Sequence, residues 1–320
     1  MLELFAGILA FAVTWTVVPG LRKLALRWQF VDIPNQRKIH QNPLPLLGGA
    51  GMFAGFLIAT LVFAGFLPDS RRSYIGLILG ALLLFGIGLL DDYYKTRGKD
   101  FPAAPRFIVQ IVAASLVAGF GGTVRGFTVP FEHNHYILFP SFLSIMVTIV
   151  WIVGVINVFN FLDGLDGLAA GIAAISGATL IFIALAKGEV ASALWAACLT
   201  GSALGFLRHN FYPARIIMGD AGSTLLGFLL ASISVIGAFK SATVVSIFVP
   251  VLALGVPIFD GIRVVGRRIL HGQPPHKPDK THGHHWLLQS GLSQVQTVTV
   301  MYLLSLCFSL ASVIVVLLQK

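Results

Sequence analysis

The apolar residues of this chain come in repeated blocks of about 17 to 22 residues, the length at which an α-helix spans the hydrocarbon core of a bilayer. No other feature of the 320 residues constrains the fold as strongly. Charged residues make up 11% of the chain, whereas a soluble domain contains about 25%. A transmembrane β-barrel would instead show short segments of alternating hydrophobicity. The sequence therefore predicts an all-α polytopic membrane protein, with residues 1–320 forming a single integral-membrane domain.

Ten apolar runs are candidate transmembrane spans. The first run is not followed by a small-residue cleavage pattern, which favours a retained helix over a removed signal. Both cysteines, Cys198 and Cys307, fall within the runs, so the chain has neither a disulfide framework nor a cysteine zinc site. The ten runs cover residues 2–21, 47–67, 74–90, 105–121, 141–159, 168–186, 190–207, 222–238, 242–260 and 297–318.

The distribution of basic residues predicts the orientation. Ten spans leave five loops on one side of the membrane, and these loops with their flanks hold 16 of the 22 Lys and Arg residues. By the positive-inside rule that face is cytoplasmic and both termini lie outside. The chain has no soluble basic domain, so its net charge of +9 gives little support to nucleic-acid binding. The loops are residues 22–46, 91–104, 160–167, 208–221 and 261–296.

Acidic residues and histidines collect on the same predicted face. It carries nine of the 13 acidic residues and seven of the nine histidines, although acids contribute little to topology. This convergence of carboxylates, imidazoles and bases indicates a site for a charged cytosolic substrate.

The stretch "GIGLLDDYYKTRGKD" ends the third apolar run with two adjacent acids, Asp91 and Asp92. Such a pair can hold a divalent cation or take part in proton transfer. The alternative is a pair of solvated charges at a helix end, although acids at a helix C-terminus oppose the macrodipole. The stretch alone leaves both interpretations open.

The stretch "NVFNFLDGLDGL" places Asn157, Asn160, Asp163 and Asp166 three positions apart at the end of the fifth run. The glycines that follow each aspartate predict that the helix stops and the chain turns, which would bring the four side chains together. Carboxylates and amides suit a nucleotide or a hydrated Mg²⁺. A polar turn capped by Asp and Gly is the alternative, but polar groups at a membrane boundary are costly and favour a functional role.

The stretch "RHNFYPARIIMGDAGSTLLGF" places Asp220 immediately before an apolar helix. Backbone N–H groups at a helix start can hold phosphate, and an acid there can hold the metal that bridges it. Capping of the helix by Asp220 or Ser223 is the simpler interpretation, and the two are compatible.

The longest predicted cytoplasmic loop carries Arg263 and Arg267 at helical spacing, which suits a phosphate or a pyrophosphate. It also carries His282, His284 and His285. Their spacing does not match usual zinc ligand pairs, so anion binding or proton exchange is favoured. In the first loop, Lys38 precedes a Gly-rich helix entry and is a candidate for a diphosphate.

Taken together, these stretches resemble the polyprenyl-phosphate N-acetylhexosamine-1-phosphate transferase superfamily (glycosyltransferase family 4). The Gly-rich start of the second span carries the resemblance, together with four motifs in order. These motifs are "DDYYK", "NVFNFLDGLDGLA", "NFYPARIIMGDAGS" and "PDKTHGHH". The form "HGHH" resembles the WecA/TagO-type branch, which takes UDP-N-acetylglucosamine, rather than the phospho-MurNAc-pentapeptide branch.

The resemblance implies transfer of a sugar 1-phosphate from a UDP-sugar to undecaprenyl phosphate, with release of UMP. It implies Mg²⁺ as cofactor, with Mn²⁺ as a substitute, and a site on the cytoplasmic face of the bacterial plasma membrane. Asp220 would bind the metal and Asp91 and Asp92 would orient or deprotonate the lipid phosphate. The implied substrate-binding residues are Lys38, Lys95, Asn157, Asn160, Asp163, Asp166, Asn210, Arg263, Arg267, Lys280, His282, His284 and His285.

The family pattern is not matched everywhere, and rival functions exist. Ile217 stands where the phospho-MurNAc-pentapeptide branch has an aromatic residue expected to stack on uracil. The motif "MGDAG" also resembles an intramembrane aspartyl protease, with Asp260 as the candidate second acid. An ion-coupled transporter would place its charges near the span midplanes instead. The sequence leaves open the amino sugar, the lipid length, the downstream polymer and whether the chain forms a homodimer.

Overall fold

A computed structural model describes residues 1–32, 43–67, 70–128, 136–238, 248–270 and 282–318. Across these residues the chain is almost entirely helical, which confirms the predicted all-α membrane fold. Eight helices are long and apolar enough to cross a bilayer within this described part. The helices are α1 Leu2–Arg27, α2 Gly48–Phe63, α3 Arg71–Thr96, α4 Ala103–Gly119, α5 Ser141–Leu162, α6 Leu168–Ala186, α7 Val190–Asn210, α8 Gly219–Ala238, α9 Phe248–Ala253, α10 Gly255–Leu270, α11 Gly283–Gln289 and α12 Gln294–Leu318.

Short elements join the helices. A 3₁₀ turn, Ala64–Phe66, follows α2. Strands β1 (Val31–Asp32) and β2 (Leu44–Pro45) form one antiparallel pair, in which Asp32 lies opposite Leu44. Strands β3 (Gly126–Thr128) and β4 (Tyr136–Leu138) form a second antiparallel pair between α4 and α5.

The predicted spans correspond closely to helices in most places. The fourth predicted span is the apolar helix α4, which is shorter than the eight long segments, because α2 counts among these together with the 3₁₀ turn that follows it. The ninth predicted span begins among residues outside the described part, and its remainder is divided between α9 and the start of α10. The number of membrane crossings therefore stays a prediction.

Helix α8 lies at the centre of the bundle and contacts α2, α3, α5, α6 and α7. In the apolar 18-residue stretch of α8, 89% of the residues are buried inside the protein, whereas in that of α1 only 22% are buried. Close helix contacts depend on small residues, as is usual within membranes. A Cβ atom on Gly88 of α3 would overlap the backbone of Ala221, and one on Gly80 would overlap the ring of Phe228. Gly88 thus brings the end of α3 directly against the start of α8, and Gly80 brings the middle of α3 against the middle of α8.

The outer helices carry large apolar side chains on their exposed surfaces, among them Phe5, Val150 and Leu310. Helices that are apolar on all sides are stable in a hydrocarbon environment and not in water. The exposed apolar surface is therefore the lipid-facing surface of the protein.

Candidate functional site

A cavity of about 630 Å³ opens at one end of the helix bundle. Each of the five loops predicted on the cytoplasmic side contributes to it, so these loops converge although they are far apart in sequence. The residues that line it are Asp32, Leu44, Leu46, Asp92, Lys95, Asn160, Asp163, Gly164, Leu165, Asp166, Asn210, Tyr212, Pro213, Ala214, Ile217, Gly219, Asp220, His285 and Gln294.

Asp220 is the centre of a cluster of charges at one side of this cavity. Its Oδ1 lies 2.6 Å from the Lys95 ammonium and accepts a hydrogen bond from the Asn160 amide at 3.2 Å. Its Oδ2 lies 3.5 Å from the Arg106 guanidinium. Arg106 also donates to the buried Asp91 carboxylate at 2.7 Å. Two cations thus stand beside two carboxylates, an arrangement that can hold the phosphates of a substrate together with a divalent cation.

Asp92 supports the helix that carries Asp220. Its Oδ1 accepts a hydrogen bond from the backbone N–H of Asp220 at 2.8 Å, and its Oδ2 accepts one from Ala221 at 3.0 Å. The residue has no exposed surface. Gly219 allows this approach, because its backbone has φ +69° and a Cβ atom there would overlap the Asp92 carboxylate. Asp92 therefore caps α8 from a neighbouring helix, since the first N–H groups of a helix have no partner within it.

The chain turns sharply between α5 and α6, as the two glycines predict. Gly167 adopts φ +78° and donates its N–H to the Asn210 side chain at 3.0 Å. Asp166 accepts a hydrogen bond from the backbone N–H of Ala214 at 2.9 Å. Burial and, next, the negative charge of Asp220 raise the pKa of Asp163 to about 7. The turn therefore places Asp163 and Asp166 in the lining of the cavity, which they share with Lys95 and Asp220.

The two asparagine residues of the fifth helix have different surroundings. Asn160 lines the cavity and donates to Asp220 and to the Ser223 hydroxyl at 3.0 Å. Asn157 donates to the Gln110 side chain at 2.7 Å and to the Val153 carbonyl, one helical turn away from the cavity. The structure thus places Asn157 in a contact between α4 and α5, outside the cavity lining.

Asn210 connects two segments of the cavity wall. Its Oδ1 accepts the hydrogen bond from the backbone N–H of Gly167, and its Nδ2 donates to the carbonyl of Ile216 at 2.9 Å. Both ends of its amide thus bind backbone groups, and the residue is 4% exposed. Tyr302 of α12 adds a second tie by donating to the Gly167 carbonyl at 2.6 Å. These contacts indicate that Asn210 shapes the wall more than it presents a free amide to a ligand.

The three histidines form a contiguous stack at the start of α11. The ring centroids of His282 and His284 lie 5.8 Å apart, and those of His284 and His285 lie 4.4 Å apart. His285 lines the cavity. His284 is buried against Gly164, because a Cβ atom on that glycine would lie 2.6 Å from the imidazole Nε2. Burial, with the neighbouring His285 and His282, lowers the pKa of His284 to about 3, so its ring is neutral at physiological pH.

Some predicted residues lie away from the cavity or outside the described residues. Arg263 and Arg267 are exposed on α10 and do not line the cavity. Lys38 and Lys280 fall among the residues that the structure does not describe, so their placement stays a prediction.

Reasoning from the sequence missed two charged residues with defined contacts. Arg106 was not predicted as a site residue and counted only toward the basic residues of the predicted cytoplasmic face, yet it joins Asp91 and Asp220. A signal was available, because α3 and α4 form a helical hairpin and Arg106 follows Asp91 by 15 residues. Asp260 entered only as a protease candidate, yet it binds His282.

The donor set around Asp220 fits Mg²⁺ in one specific way. Carboxylate oxygens are the ligands that Mg²⁺ prefers, and it commonly takes only one or two of them, with substrate phosphates and water completing the octahedron. No group of three or more His, Cys, Asp or Glu side chains able to hold a metal occurs within the described ranges. Asp220, with Asp91 nearby across Arg106, therefore fits an ion that is bound jointly with phosphate.

Known proteins with related names match this chain over most of its length. The family described as glycosyl transferase family 4 matches residues 74–238. A probable undecaprenyl-phosphate N-acetylglucosaminyl 1-phosphate transferase of Bacillus subtilis is 36% identical over 309 residues, which are 97% of this chain and 84% of that protein. The decaprenyl-phosphate N-acetylglucosaminephosphotransferase of Mycobacterium tuberculosis H37Rv is 33% identical, covering 93% of this chain and 78% of its own. The undecaprenyl-phosphate alpha-N-acetylglucosaminyl 1-phosphate transferase of Haemophilus influenzae is 32% identical, covering 92% and 81%.

Proposed function

Since this chain belongs to glycosyl transferase family 4, we propose that it transfers N-acetylglucosamine 1-phosphate from UDP-N-acetylglucosamine to a polyprenyl phosphate. UMP leaves, and a polyprenyl-diphospho-N-acetylglucosamine remains in the bilayer. The relatives from three bacterial genera all carry the name of this reaction. We propose that the acceptor is undecaprenyl phosphate. The reaction would then be the first membrane step in the synthesis of a cell-envelope polysaccharide.

The observation that carries the proposal is the placement of Lys95 and Arg106 around Asp220. Phosphoryl transfer requires neutralised charge and in-line positioning more than covalent help from the protein. Two cations on one wall can neutralise the donor diphosphate and the acceptor phosphate together. Lys95 and Asp220 line the cavity, so a nucleotide sugar in the cavity can reach them. We infer that the lipid phosphate approaches the same cluster along the apolar helices that carry these residues.

Asp220 is the residue that we assign to Mg²⁺, with Asp91 beside it. When bound, the ion would neutralise charge on the donor diphosphate and polarise its β-phosphorus. Lys95 contacts Asp220 at 2.6 Å. This ammonium is therefore placed to keep the Asp220 carboxylate ionised and to contact a phosphate that shares the site. Mn²⁺, which also takes oxygen ligands, is expected to substitute.

The reaction balances without a strong general base. An oxygen of the acceptor phosphate attacks the β-phosphorus of the donor, and the bond from that phosphorus to the bridging oxygen breaks. UMP leaves with the bridging oxygen and its electron pair. A phosphate monoester has a second pKa near 6, so the acceptor is largely dianionic at neutral pH. Asp91, which accepts a hydrogen bond from Arg106 at 2.7 Å, is then needed for orientation rather than for proton removal.

The size and lining of the cavity suit a nucleotide sugar. Its volume of about 630 Å³ lies in the usual range for small-molecule sites. Leu44, Leu46 and Ile217 give it an apolar wall, which can pack on a uracil ring without an aromatic residue. Asp163, Asp166 and His285 add polar groups for ribose, diphosphate and sugar.

We further propose that the cavity faces the cytoplasm, where nucleotide sugars are found. The support is the excess of Lys and Arg in the loops that form its wall. The protease alternative is not favoured. Such an enzyme needs two aspartates that share a proton, whereas Asp220 binds Lys95 and Asp260 binds His282.

UMP release by the purified protein in detergent tests the proposal. The reaction contains UDP-N-acetylglucosamine, undecaprenyl phosphate and Mg²⁺, and parallel samples omit the lipid, add EDTA or replace the sugar by UDP-N-acetylgalactosamine. The proposal expects release that requires both the lipid and the metal and prefers N-acetylglucosamine. Release with another UDP-sugar would change the substrate, and no release from folded protein with any UDP-sugar would reject the reaction.

A further inference from the structure

Asp260 binds the start of α11 through both of its carboxylate oxygens. Its Oδ2 lies 2.8 Å from Nδ1 of His282, and its Oδ1 accepts a hydrogen bond from the backbone N–H of Gly283 at 2.7 Å. An ionised carboxylate can only accept hydrogen bonds, so Nδ1 of His282 must be the donor. The side chains of Asp260 and His282 are 9% and 6% exposed, so this contact is largely shielded from water.

The backbone on both sides of the contact is held closely. Gly261 follows Asp260 and packs on α5, where a Cβ atom would lie 2.5 Å from the Val158 side chain. A Cβ atom on Gly283 would lie 3.2 Å from Asp260 Oδ1. The carboxylate therefore stands on a helix that is packed against α5, and it contacts a backbone without an intervening side chain. Such packing gives Asp260 a fixed position from which to orient α11.

His282 begins a chain of contacts that ends in the cavity. Its ring is nearly parallel to that of His284, with an interplanar angle of 12°. His284 in turn contacts His285, which lines the cavity, and lies against Gly164 of the turn between α5 and α6. The orientation that Asp260 imposes on His282 and Gly283 is therefore passed to His285, which lines the cavity, and to the turn that carries Asp163.

We propose that Asp260 is a positioning residue for binding of the sugar-nucleotide donor. It fixes the ring orientation and the protonated nitrogen of His282, anchors the start of α11 and so holds His285 in the cavity wall. This proposal rests on the proposed function, because the donor is the ligand whose binding it supports. Removal of the contact weakens binding of the UDP-sugar and leaves binding of the lipid phosphate, which enters beside Asp220, nearly unchanged.

The first test compares Asp260→Asn with wild type in the UMP-release assay. Asparagine keeps the size of the side chain but loses the charge that accepts from His282. Hydrogen bonds to charged groups contribute about 1.5–3 kcal/mol, so we expect the KM for the UDP-sugar to rise about tenfold or more. The KM for undecaprenyl phosphate is expected to change less than twofold. Asp100→Asn makes the same exchange at an exposed acid and serves as the matched control.

A double-mutant cycle shows whether Asp260 acts through His282. In a His282→Gln background, Asp260→Asn is expected to add less than threefold to the KM of the UDP-sugar, because the shared contact is already lost. Equal effects of Asp260→Asn in both backgrounds would overturn the proposal. An unchanged KM in a folded Asp260→Asn protein, with its thermal unfolding temperature preserved, would also overturn it.

An activity-independent readout separates this inference from the proposed reaction. The ¹⁵N spectrum of histidine-labelled protein reports which ring nitrogen carries the proton, and the signal missing from His282→Gln assigns His282. We expect a protonated Nδ1 in wild type and a changed Nδ1 signal in Asp260→Asn. A wild-type Nδ1 without a proton overturns the inference even if UMP is released. Conversely, a protein that releases no UMP but shows the protonated Nδ1 has lost the proposed reaction and kept the Asp260–His282 contact.

Discussion

The carboxylate of Asp92 accepts a hydrogen bond from the backbone N–H of Asp220, 2.8 Å away and 128 residues later in the chain. This contact joins the end of α3 to the start of α8 and orients the residue that we assign to Mg²⁺. The helix that carries the proposed metal ligand thus receives its cap from the motif that also supplies Asp91 and Lys95. The two adjacent acids therefore have different partners: Asp91 accepts a hydrogen bond from Arg106, and Asp92 accepts hydrogen bonds from the first backbone N–H groups of α8.

Replacement of Asp92 by Ala should lower both stability and activity. Loss of a helix cap typically costs about 1 kcal/mol, and two buried N–H groups would lose their partner. We therefore expect a lower thermal unfolding temperature in detergent and a rate of UMP release reduced at least tenfold. Asp100→Ala, an exposed acid near the end of the same helix, is the control. An Asp92→Ala protein as stable as the control would contradict the capping role.

Arg106→Gln should impair the reaction more than the fold. The change removes the positive charge that lies between Asp91 and Asp220 and leaves the buried Asp91 carboxylate without its guanidinium partner. Loss of one positioned donor that stabilises charge in the transition state typically costs about a hundredfold to a thousandfold in kcat, so kcat should fall at least a hundredfold. The control is Arg97→Gln, because Arg97 lies over the Tyr93 ring near the same loop. Equal kcat values for the two variants would remove Arg106 from the site.

Gly164→Ala should weaken donor binding by moving a histidine. The added methyl group would lie 2.6 Å from Nε2 of His284, so the ring must shift and His285 shifts with it. We expect a higher KM for the UDP-sugar, measured by UMP release at saturating lipid. Gly154→Ala is the matched control on α5, where a Cβ atom meets nothing within 4 Å. If both variants have the wild-type KM, the histidine stack does not contact the donor-binding part of the cavity.

The buried His284 should make the protein less stable in acid. Its pKa is lowered to about 3 in the folded state, whereas an unfolded histidine has a pKa of about 6.5. Below pH 6.5 the unfolded chain takes up a proton that the folded protein does not, so stability is lost as pH falls, by about 1.4 kcal/mol per pH unit at most.

Thermal unfolding of wild type and His284→Asn between pH 7.5 and 5 measures this effect. The wild-type unfolding temperature should fall more steeply with acid than that of the variant. A variant slope equal to that of wild type would show that His284 takes up its proton equally well in the folded state.

The sequence predicts the fold well because membrane helices carry a strong local signal, an unbroken apolar run of fixed length. The prediction from hydropathy is less accurate at the helix ends that carry the site. Helix α3 continues to Thr96, although its apolar run ends at residue 90, and α8 begins at Gly219, three residues before its run. The polar residues of the site lie on the last turns of α3 and on the first turn of α8. A helix boundary predicted from hydropathy therefore leaves out the helical residues that form the site.

The contacts within the site depend on helix packing, which the chain order does not reveal. Asn157 and Asn160 have the same residue type and neighbouring positions, yet one meets Gln110 of α4 and the other meets Asp220 of α8. Asn210 binds backbone on both sides for the same reason. Family motifs identified the segments that form the cavity, but packing determines which side chain in each segment faces it.

Mass spectrometry of the lipid product tests the central claim most directly. Wild-type protein and Asp220→Asn are incubated with undecaprenyl phosphate, UDP-N-acetylglucosamine and Mg²⁺. The mass of the extracted lipid is then compared with that of the acceptor. We predict that wild type forms undecaprenyl-diphospho-N-acetylglucosamine together with an equal amount of UMP, and that Asp220→Asn forms neither. Release of UMP with free N-acetylglucosamine 1-phosphate and unchanged lipid would show hydrolysis of the donor and contradict the account, as would full product formation by Asp220→Asn.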